Sequence, residues 1–583
     1  MVQRRTRSGA RTSTQVAFAF IASPVNSLLF EEVFMNDIRR TFLWVIFGFS
    51  MVLLWDQWQV YNGNKATFFP APTAAPADKA TAAATPSAAK DLPVASTTLA
   101  TPNMAAGPSQ VPVSANAPVA TPLERIDVST DVLKLSFDTE GGSLVRSEFL
   151  KFGELADNQK PFVLLDDSKS RVYLAQTGLI GGPFASHKTP MKFTGERELK
   201  AGQNELILTF ESAETGGLKL VKTYTLTRGS YALKVSHKVV NTGAAPAAPQ
   251  LYVQLVRDGN KPEGESSFYM TFTGPAVYTD AKKFQKLEFS DIEKGKADFE
   301  KTTQQGYVAM VQHYFASAWL LPENTSRENF ARKVDTNLYA VGMITPFNEL
   351  APGQSKTMDV TLFVGPQEEK ILEALAPGLE LVKDYGWLTV LAKPLYWLLD
   401  RLFGFLQNWG WAIVALVFLL KLAFYWLNAN LLKLAFYWLN AKAYASMAKM
   451  KAINPKIMEM RERLKDNPQQ MQQEMMRIYR EEKVNPMGGC FPIMVQIPVF
   501  IALYWVLLSS VEMRNAPWVG WIHDLSAPDP YFILPVVMTL STMLQTALNP
   551  APPDPMQAKL MWIMPLVFSV MFFFFPAGLV LYW

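Results

Sequence analysis

The sequence predicts a polytopic α-helical membrane protein that carries a large all-β domain outside the membrane. Two patterns carry this prediction. Long apolar runs separated by short polar loops fill the last third of the chain, and alternating apolar and polar residues fill its middle. Composition agrees, because only 18% of the 583 residues are charged, against about 25% in a typical soluble domain.

The N-terminal part is predicted to anchor the chain in a membrane. Residues 1–34 differ in character from the segment after them, and we expect them to be a mis-assigned extension upstream of a start at Met35. In residues 35–56, Arg39 and Arg40 precede an apolar run that no small-x-small cleavage site follows. This segment is predicted to be an uncleaved signal-anchor helix with a cytoplasmic N-terminus, because basic flanks stay on that side.

The middle of the chain divides into a linker, a β-domain and a helical segment. Residues 57–123 are rich in Ala, Pro, Ser and Thr, which is typical of a linker. From 124 to 366, runs such as YALKVSHKVV and KTMDVTLFV alternate with a period of two between turn residues, which predicts an all-β sandwich. Residues 367–407 become helical, and their aromatic stripe fits either a helix in the membrane interface or one buried against the sandwich.

Residues 408–583 are predicted to form the membrane core. Apolar runs predict spans at about 409–433, 491–511, 531–548, 562–575 and 577–583. We expect the last span to be truncated, because Pro576 and Gly578 break the helix just before the chain stops. Residues 442–485 are predicted to form two amphipathic helices in an antiparallel hairpin. Their ten basic and six acidic residues, net charge +4, predict a cytoplasmic location.

A lysine lies inside the first of these spans. A cation at the centre of a membrane helix costs about 2.5–3.5 kcal/mol, so Lys421 either snorkels to the interface or faces a water-filled cavity. The segment LLKLAFYWLNAN at 419–430 recurs at 431–442 with one change, which adds Lys433. The extra copy adds about 18 Å of helix and about 120° of rotation, so a regular helix cannot point both lysines into one groove. We expect a recent duplication or a sequence error as its source.

Methionines recur along the hairpin and are candidate contacts for apolar partners. Four of them are singled out: Met447, Met450, Met471 and Met475. Flexible thioether side chains form surfaces that adapt to varied apolar partners. The alternative is that they fill the core between the two helices.

Composition excludes several other functions. The single cysteine, Cys490, and four scattered histidines provide no disulfide framework, thiolate metal cluster or Cys-x-x-Cys pair. No phosphate-binding loop, paired catalytic acids or nucleic-acid motif is present. We therefore expect no cofactor, no metal and no enzymatic activity, including in the β-domain.

Several motifs together resemble one family. MNDIRRTFLWVIFGFSMVLLWDQWQVYNG, SMAKM at 446–450, EKVNPMGGCFPIMVQIPVFIALYW, WIHDLSAPDPYFILP and the terminal PAGLVLYW are similar to those of the YidC/Oxa/Alb membrane protein insertases of Gram-negative bacteria. The resemblance covers about 35–583. It implies a periplasmic β-super-sandwich and a five-span insertase core. It also implies a water-filled groove open to the cytoplasm and to lipid but closed toward the periplasm.

The resemblance also assigns candidate groove residues. They are a basic residue in the second span of the whole chain, here Lys421 or Lys433, together with Gln496, Pro498, Phe500, Tyr582 and Trp583. Lys421 lies 13 residues after Asn408, as the family spaces it, and Lys433 lies 13 residues before Ser446, also as in the family. The lysine of the first copy therefore has the family's spacing to the residue before it, and the lysine of the second copy has the family's spacing to the motif after it. Counting from Asn408, we expect Lys421 to take the role. Two departures are that the family's basic residue is usually arginine and that its nearby proline is here Trp426 or Trp438.

These features predict an insertase and chaperone of the bacterial inner membrane. It would insert nascent membrane proteins alone or with the Sec translocon, receive ribosomes and targeting factors at the hairpin, and open toward membrane lipids. Two alternatives stay open: a secondary transporter of a small anion, although no inverted repeat is visible across the spans, and a periplasmic assembly scaffold.

Overall fold

The protein is described by a computed structural model. It covers residues 92–94, 124–154, 159–262, 271–426, 491–548 and 555–582, together with 452–453, 455–460, 462–464 and 467–482 of the hairpin. The described residues fall into two compact units: one holds those between 453 and 482, and the other holds those between 92 and 426 and between 491 and 582. The predicted signal anchor and most of the linker lie outside the described residues.

The β-domain is a sandwich of two antiparallel sheets. The strands of the first sheet are Arg125–Ser129 (β1), Leu133–Asp138 (β2), Ser143–Gly153 (β3), Pro161–Val163 (β4), Asp166–Asp167 (β5), Val172–Ile180 (β6), Gln250–Asp258 (β11), Thr302–Thr303 (β14), Arg327–Asp335 (β17) and Leu338–Pro346 (β18). Their order is β1-β2-β3-β6-β11-β18-β17-β14, with β4 paired to β3 and β5 to β6.

The second sheet supplies the other layer. Its strands are Met191–Gly195 (β7), Glu205–Ser212 (β8), Leu218–Thr227 (β9), Ala232–Asn241 (β10), Gly274–Thr279 (β12), Lys283–Lys286 (β13), Tyr307–Gln312 (β15), Phe315–Leu320 (β16) and Ser355–Pro366 (β19). Their order is β13-β12-β15-β16-β19-β10-β9-β8-β7. The predicted all-β sandwich is therefore confirmed.

Alternation along each strand explains why these residues form a sandwich. In β10, Leu233, Val235, His237 and Val239 are fully buried while the intervening side chains are exposed or half-buried. Successive side chains of a strand point to opposite faces. The apolar face is thus pressed into one continuous core between the two sheets.

Helices are numbered here in chain order. They are α1 (Phe289–Glu293, within the sandwich), α2 (Glu369–Leu375), α3 (Thr389–Leu406), α4 (Trp409–Trp426), α5 (Pro468–Glu481), α6 (Phe491–Ser509), α7 (Ile533–Leu548), α8 (Pro555–Phe572) and α9 (Ala577–Tyr582). Within the described ranges, no helix combines the length and the apolar character that a membrane crossing requires.

Helix α3 packs against the other helices rather than against the sandwich. Its buried residues Ala392, Tyr396 and Leu399 belong to the core formed with α4, α6 and α9. The opposite face leaves Val390 and Phe405 each 86% exposed. The helix therefore packs with the helical core and not with the sandwich, and its place in the membrane interface stays a prediction.

The hairpin unit shows two helical segments around a capped turn. The Asn467 side chain accepts a hydrogen bond from the Gln470 backbone N–H at 3.3 Å, and Pro468 occupies the first turn of α5, which are standard start signals. Lys456 and Glu482 form an ion pair at 2.8 Å. A contact between the start of one segment and the end of the other indicates an antiparallel arrangement.

Candidate functional site

The start of α4 is fixed by Asn408. Its Oδ1 accepts a hydrogen bond from the Trp411 backbone N–H at 3.1 Å, which caps the helix. Its Nδ2 donates to the carbonyl oxygens of Pro517 and Trp518 at 3.2 and 3.3 Å. Gly410 lies under the Trp518 ring, where a Cβ atom would approach to 2.2 Å. The first turn of α4 is therefore tied to the loop that follows α6.

Lys421 lies on the side of α4 away from its packed face. Ala412, Ile413 and Leu416 face the helical core, and Lys421 lies about 130° around the helix from their mean direction, at about 100° per residue. Its side chain is exposed, and it makes no ion pair or cation–π contact within the described residues. Counted from Asn408, it lies about 20 Å along the helix.

Helices α6 and α9 bring two of the predicted groove residues together. The rings of Phe500 and Tyr582 stack with centroids 5.6 Å apart and planes 29° apart. Pro498, also in α6, is half-buried. Helix α9 is held at its start, because the Ala577 and Gly578 backbone N–H groups donate to the Ala527 and Leu525 carbonyls.

The other predicted groove residues lie wholly or partly outside the described part of the chain. Gln496 belongs to α6, but its side chain is outside the described residues, as are Trp583 and Lys433. The assignment of all of these residues to a groove stays a prediction.

The loop before α7 is organised by a buried carboxylate. Asp529 is 2% exposed. Its Oδ1 accepts hydrogen bonds from Trp521 Nε1 and from the Tyr531 N–H, both at 3.0 Å, and its Oδ2 accepts from the Leu534 N–H at 2.7 Å. The carboxylate thus caps α7 and fixes the loop around Trp521.

Sequence reasoning missed a buried charge cluster beside these helices. Lys383 precedes α3, and its side chain is 0% exposed. Its Nζ lies 3.1 Å from Glu512 Oε1, in the turn after α6, and 3.9 Å from the ring centroid of Tyr396 in α3. The Tyr396 hydroxyl donates to Glu512 Oε1 at 2.6 Å. The only available signal was an acidic and a basic residue, Glu512 and Arg514, directly after an apolar run.

Methionines of the hairpin differ in exposure. Met471 is half-buried and Met475 is 9% exposed, whereas Met458 and Met476 are 56% and 55% exposed. The two exposed methionines are therefore not among the four predicted ones. Met447 and Met450 lie outside the described residues, and contact of the hairpin with partners stays a prediction.

His237 of the β-domain is buried in its core. His237 Nε2 lies 2.9 Å from Thr177 Oγ1, and Lys222 Nζ donates to the carbonyls of Gly141 and Thr177. Burial lowers the pKa of His237 to about 3 and that of Lys222 to about 7, because desolvation disfavours the charged form of each. Within the described part of the chain, no group of histidine, cysteine and acidic residues could hold a metal ion.

Comparison with known proteins identifies the family. The YidC periplasmic domain family matches residues 125–398, and the 60Kd inner membrane protein family matches 429–583. The membrane protein insertases YidC of Cupriavidus taiwanensis and Ralstonia nicotianae are 54% and 52% identical, each over 94% of this chain and 95% of theirs.

A solved structure titled active YidC insertase with its first transmembrane domain resolved is also similar. It shows 17% identity and a TM-score of 0.35 over 79% of this chain and 89% of that one. The identity shared with the curated relatives over almost their whole length decides the assignment. The chain belongs to the YidC family of membrane protein insertases.

Proposed function

We propose that the protein inserts nascent inner-membrane proteins, and helps them fold, through a hydrated groove that α4, α6 and α9 border. The observation that carries the proposal is the Phe500–Tyr582 ring pair, which brings two candidate groove residues 82 positions apart into contact. Helix α4, started by Asn408, contributes an exposed cation at Lys421. The groove would be open to the cytoplasm and to lipid.

The mechanism requires no covalent step. A hydrated groove lowers the cost of holding a client's polar segment partway across the bilayer. The Lys421 cation attracts acidic residues of a short translocated tail, and this attraction is strong where water is scarce. The apolar client segment then passes sideways into lipid at a gain of about 25 cal/mol per Å² of apolar surface removed from water. The family acts without enzymatic chemistry, and the β-domain would carry none.

The proposed topology has a cytoplasmic N-terminus, residues 57–385 in the periplasm and the hairpin in the cytoplasm. The family is one of the inner membrane and carries a periplasmic domain. Arg39, Arg40 and the net charge of +4 on 442–485 support the finer assignment. The five-span core belongs to the same proposal.

Partners beyond nascent chains are proposed at two places. The positive hairpin, with Met458 and Met476 exposed, supports contact with ribosomes or targeting factors. The helices that expose apolar side chains outward support contact with membrane lipids and, for Sec-dependent clients, with the Sec translocon.

Separate alanine variants of the two lysines test the groove. Insertion of a client with an acidic translocated tail would be measured as protease protection in vesicles. Lys421→Ala should lose insertion, while Lys421→Arg retains it because the cation persists. Lys433→Ala should behave as wild type, because 12 further residues of helix would carry Lys433 about 18 Å beyond Lys421.

Two results would contradict this assignment. Loss with Lys433→Ala alone would move the role to the second copy. Loss with neither variant would mean that hydration of the groove, rather than a cation, carries the mechanism. A client with an uncharged tail is the matched control and should insert with every variant.

A further inference from the structure

The turn after α6 contributes side chains to two hydrophobic cores, that of the β-sandwich and that of the helices. We call residues 511–514 the junction turn. Val511 is 1% exposed and belongs to the core of the sandwich, while Met513, two residues later, is 1% exposed and belongs to the core of the helices. Neighbouring side chains of one short turn are thus buried in two different bodies.

Glu512, between them, binds two further elements. Its carboxylate oxygens lie 3.1 and 3.2 Å from Lys383 Nζ, and Oε1 also accepts the Tyr396 hydroxyl hydrogen bond. Lys383 is completely buried and Glu512 is 14% exposed. Glu512 therefore connects the segment before α3, α3 itself and the end of α6, and the carboxylates of Glu368 and Glu369 also act on the Lys383 charge.

Arg514 fixes the other side of the turn. Its guanidinium lies 5.3–5.5 Å from the ring centroids of Phe162, Tyr314 and Phe315, and it donates to the Gly153 carbonyl. Cations are attracted to the faces of aromatic rings. Arg514 therefore attaches the turn to the sandwich, and its contacts do not involve the Lys383–Glu512 ion pair.

We propose that Glu512 is a positioning residue, which sets the rotation and height of α6 and thereby presents Phe500 to the client. Pro498 lies inside α6 before Phe500, and the helix from Phe500 to Ser509 contains no proline, so a helix held at the junction turn carries Phe500 with it. A buried ion pair contributes little net stability, because desolvation offsets attraction, but it penalises every arrangement that separates the charges. The inference rests on the proposed client groove.

The test must distinguish a displaced α6 from a reduced amount of protein in the membrane. A photo-cross-linking amino acid replaces Phe500 in the full chain, and a second preparation carries it at Leu540, an exposed position of α7. Each is combined with Glu512→Gln, with Lys383→Met, or with both. Cross-links to a stalled nascent client, insertion and membrane abundance are measured. Lys370→Met is the matched control, because Lys370 pairs with Asp400 of α3 at 2.7 Å but is 76% exposed.

Glu512→Gln keeps an acceptor for Tyr396 but leaves the Lys383 charge buried without its partner. We expect cross-linking at position 500 to fall about tenfold relative to position 540, with insertion falling in parallel. The Lys370→Met control should stay within about twofold of wild type, as surface pairs do. The double variant should regain abundance, because neither charge of the Lys383–Glu512 pair is left without the other, but should keep the reduced cross-link at 500.

Three outcomes would overturn the inference. They are an unchanged cross-link ratio in Glu512→Gln, a double variant that recovers the ratio together with abundance, and a double variant that fails to accumulate. Recovery of the ratio together with abundance would mean that the Lys383–Glu512 pair serves stability alone. A double variant that fails to accumulate would mean that these side chains are needed for packing. If the unmodified protein neither inserts nor cross-links the client, the proposed function fails instead.

Discussion

The Asn408 anchor provides a sharp test of how the chain sets the depth of Lys421. Asn408→Ala removes the oxygen that caps α4 and the two N–H groups that bind the Pro517 and Trp518 carbonyls. Asn408→Asp keeps the cap, since a carboxylate accepts from the Trp411 N–H, but loses both donors. The pair of variants therefore separates capping from attachment.

The expected magnitudes follow from these contacts. Loss of an N-cap costs about 1 kcal/mol, and each neutral hydrogen bond contributes about 0.5–1.5 kcal/mol. Asn408→Ala should therefore destabilise the helical part by about 2–4 kcal/mol. Asn408→Asp should cost about 1–3 kcal/mol, because only the two hydrogen bonds to the 517–518 carbonyls are lost.

The assay combines stability with depth. Unfolding of the detergent-solubilised protein gives the free energies, and a spin label at Phe418, exposed on α4, reports depth in the bilayer. We expect both variants to shift the label and to reduce insertion of the client with an acidic tail. A label that keeps its depth in Asn408→Ala would refute the positioning of the span from its Asn408 end. Gln407→Ala, which changes the preceding residue, is the control for nonspecific disturbance.

Three other predictions concern the rest of the chain. Asp529→Ala should lower stability by about 2–4 kcal/mol, since three part-buried hydrogen bonds to its carboxylate are lost; unfolding measurements that show no change would contradict the capping role. His313 Nε2 donates to the Leu508 carbonyl at 2.9 Å, and burial lowers the pKa of His313 to about 4. The unfolded chain, with a His pKa of about 6.5, then binds more protons. Stability should be complete above about pH 6.5 and fall as the pH drops toward 4, and a His313→Gln variant should show a weaker dependence in pH-resolved melts. Deleting 450–480 should reduce insertion of targeted clients, because it removes the positive hairpin; unchanged insertion of every client would exclude a receiving role.

Local patterns in the sequence were sufficient for the sandwich and for the order of the elements. The alternation in β10 placed His237 on the inner face with Leu233 and Val235, because the side chains of a strand alternate between its two faces whatever the rest of the fold does. The capping of α4 was similarly within reach, since Asn408 directly precedes the apolar run. The candidate groove residues came from family resemblance rather than from periodicity.

Tertiary structure alone decided the contacts that position the helices. Lys383 and Glu512 are 129 residues apart, and Arg514 reaches a carbonyl 361 residues away. No local pattern encodes such pairs, because each side chain looks like an ordinary charged residue of a loop until two separately folded cores meet around it. The exposure of Met476 and burial of Met475 were decided in the same way, by which side of α5 its neighbours cover. Periodicity arises from geometry within one element, whereas these contacts arise from how the elements pack together.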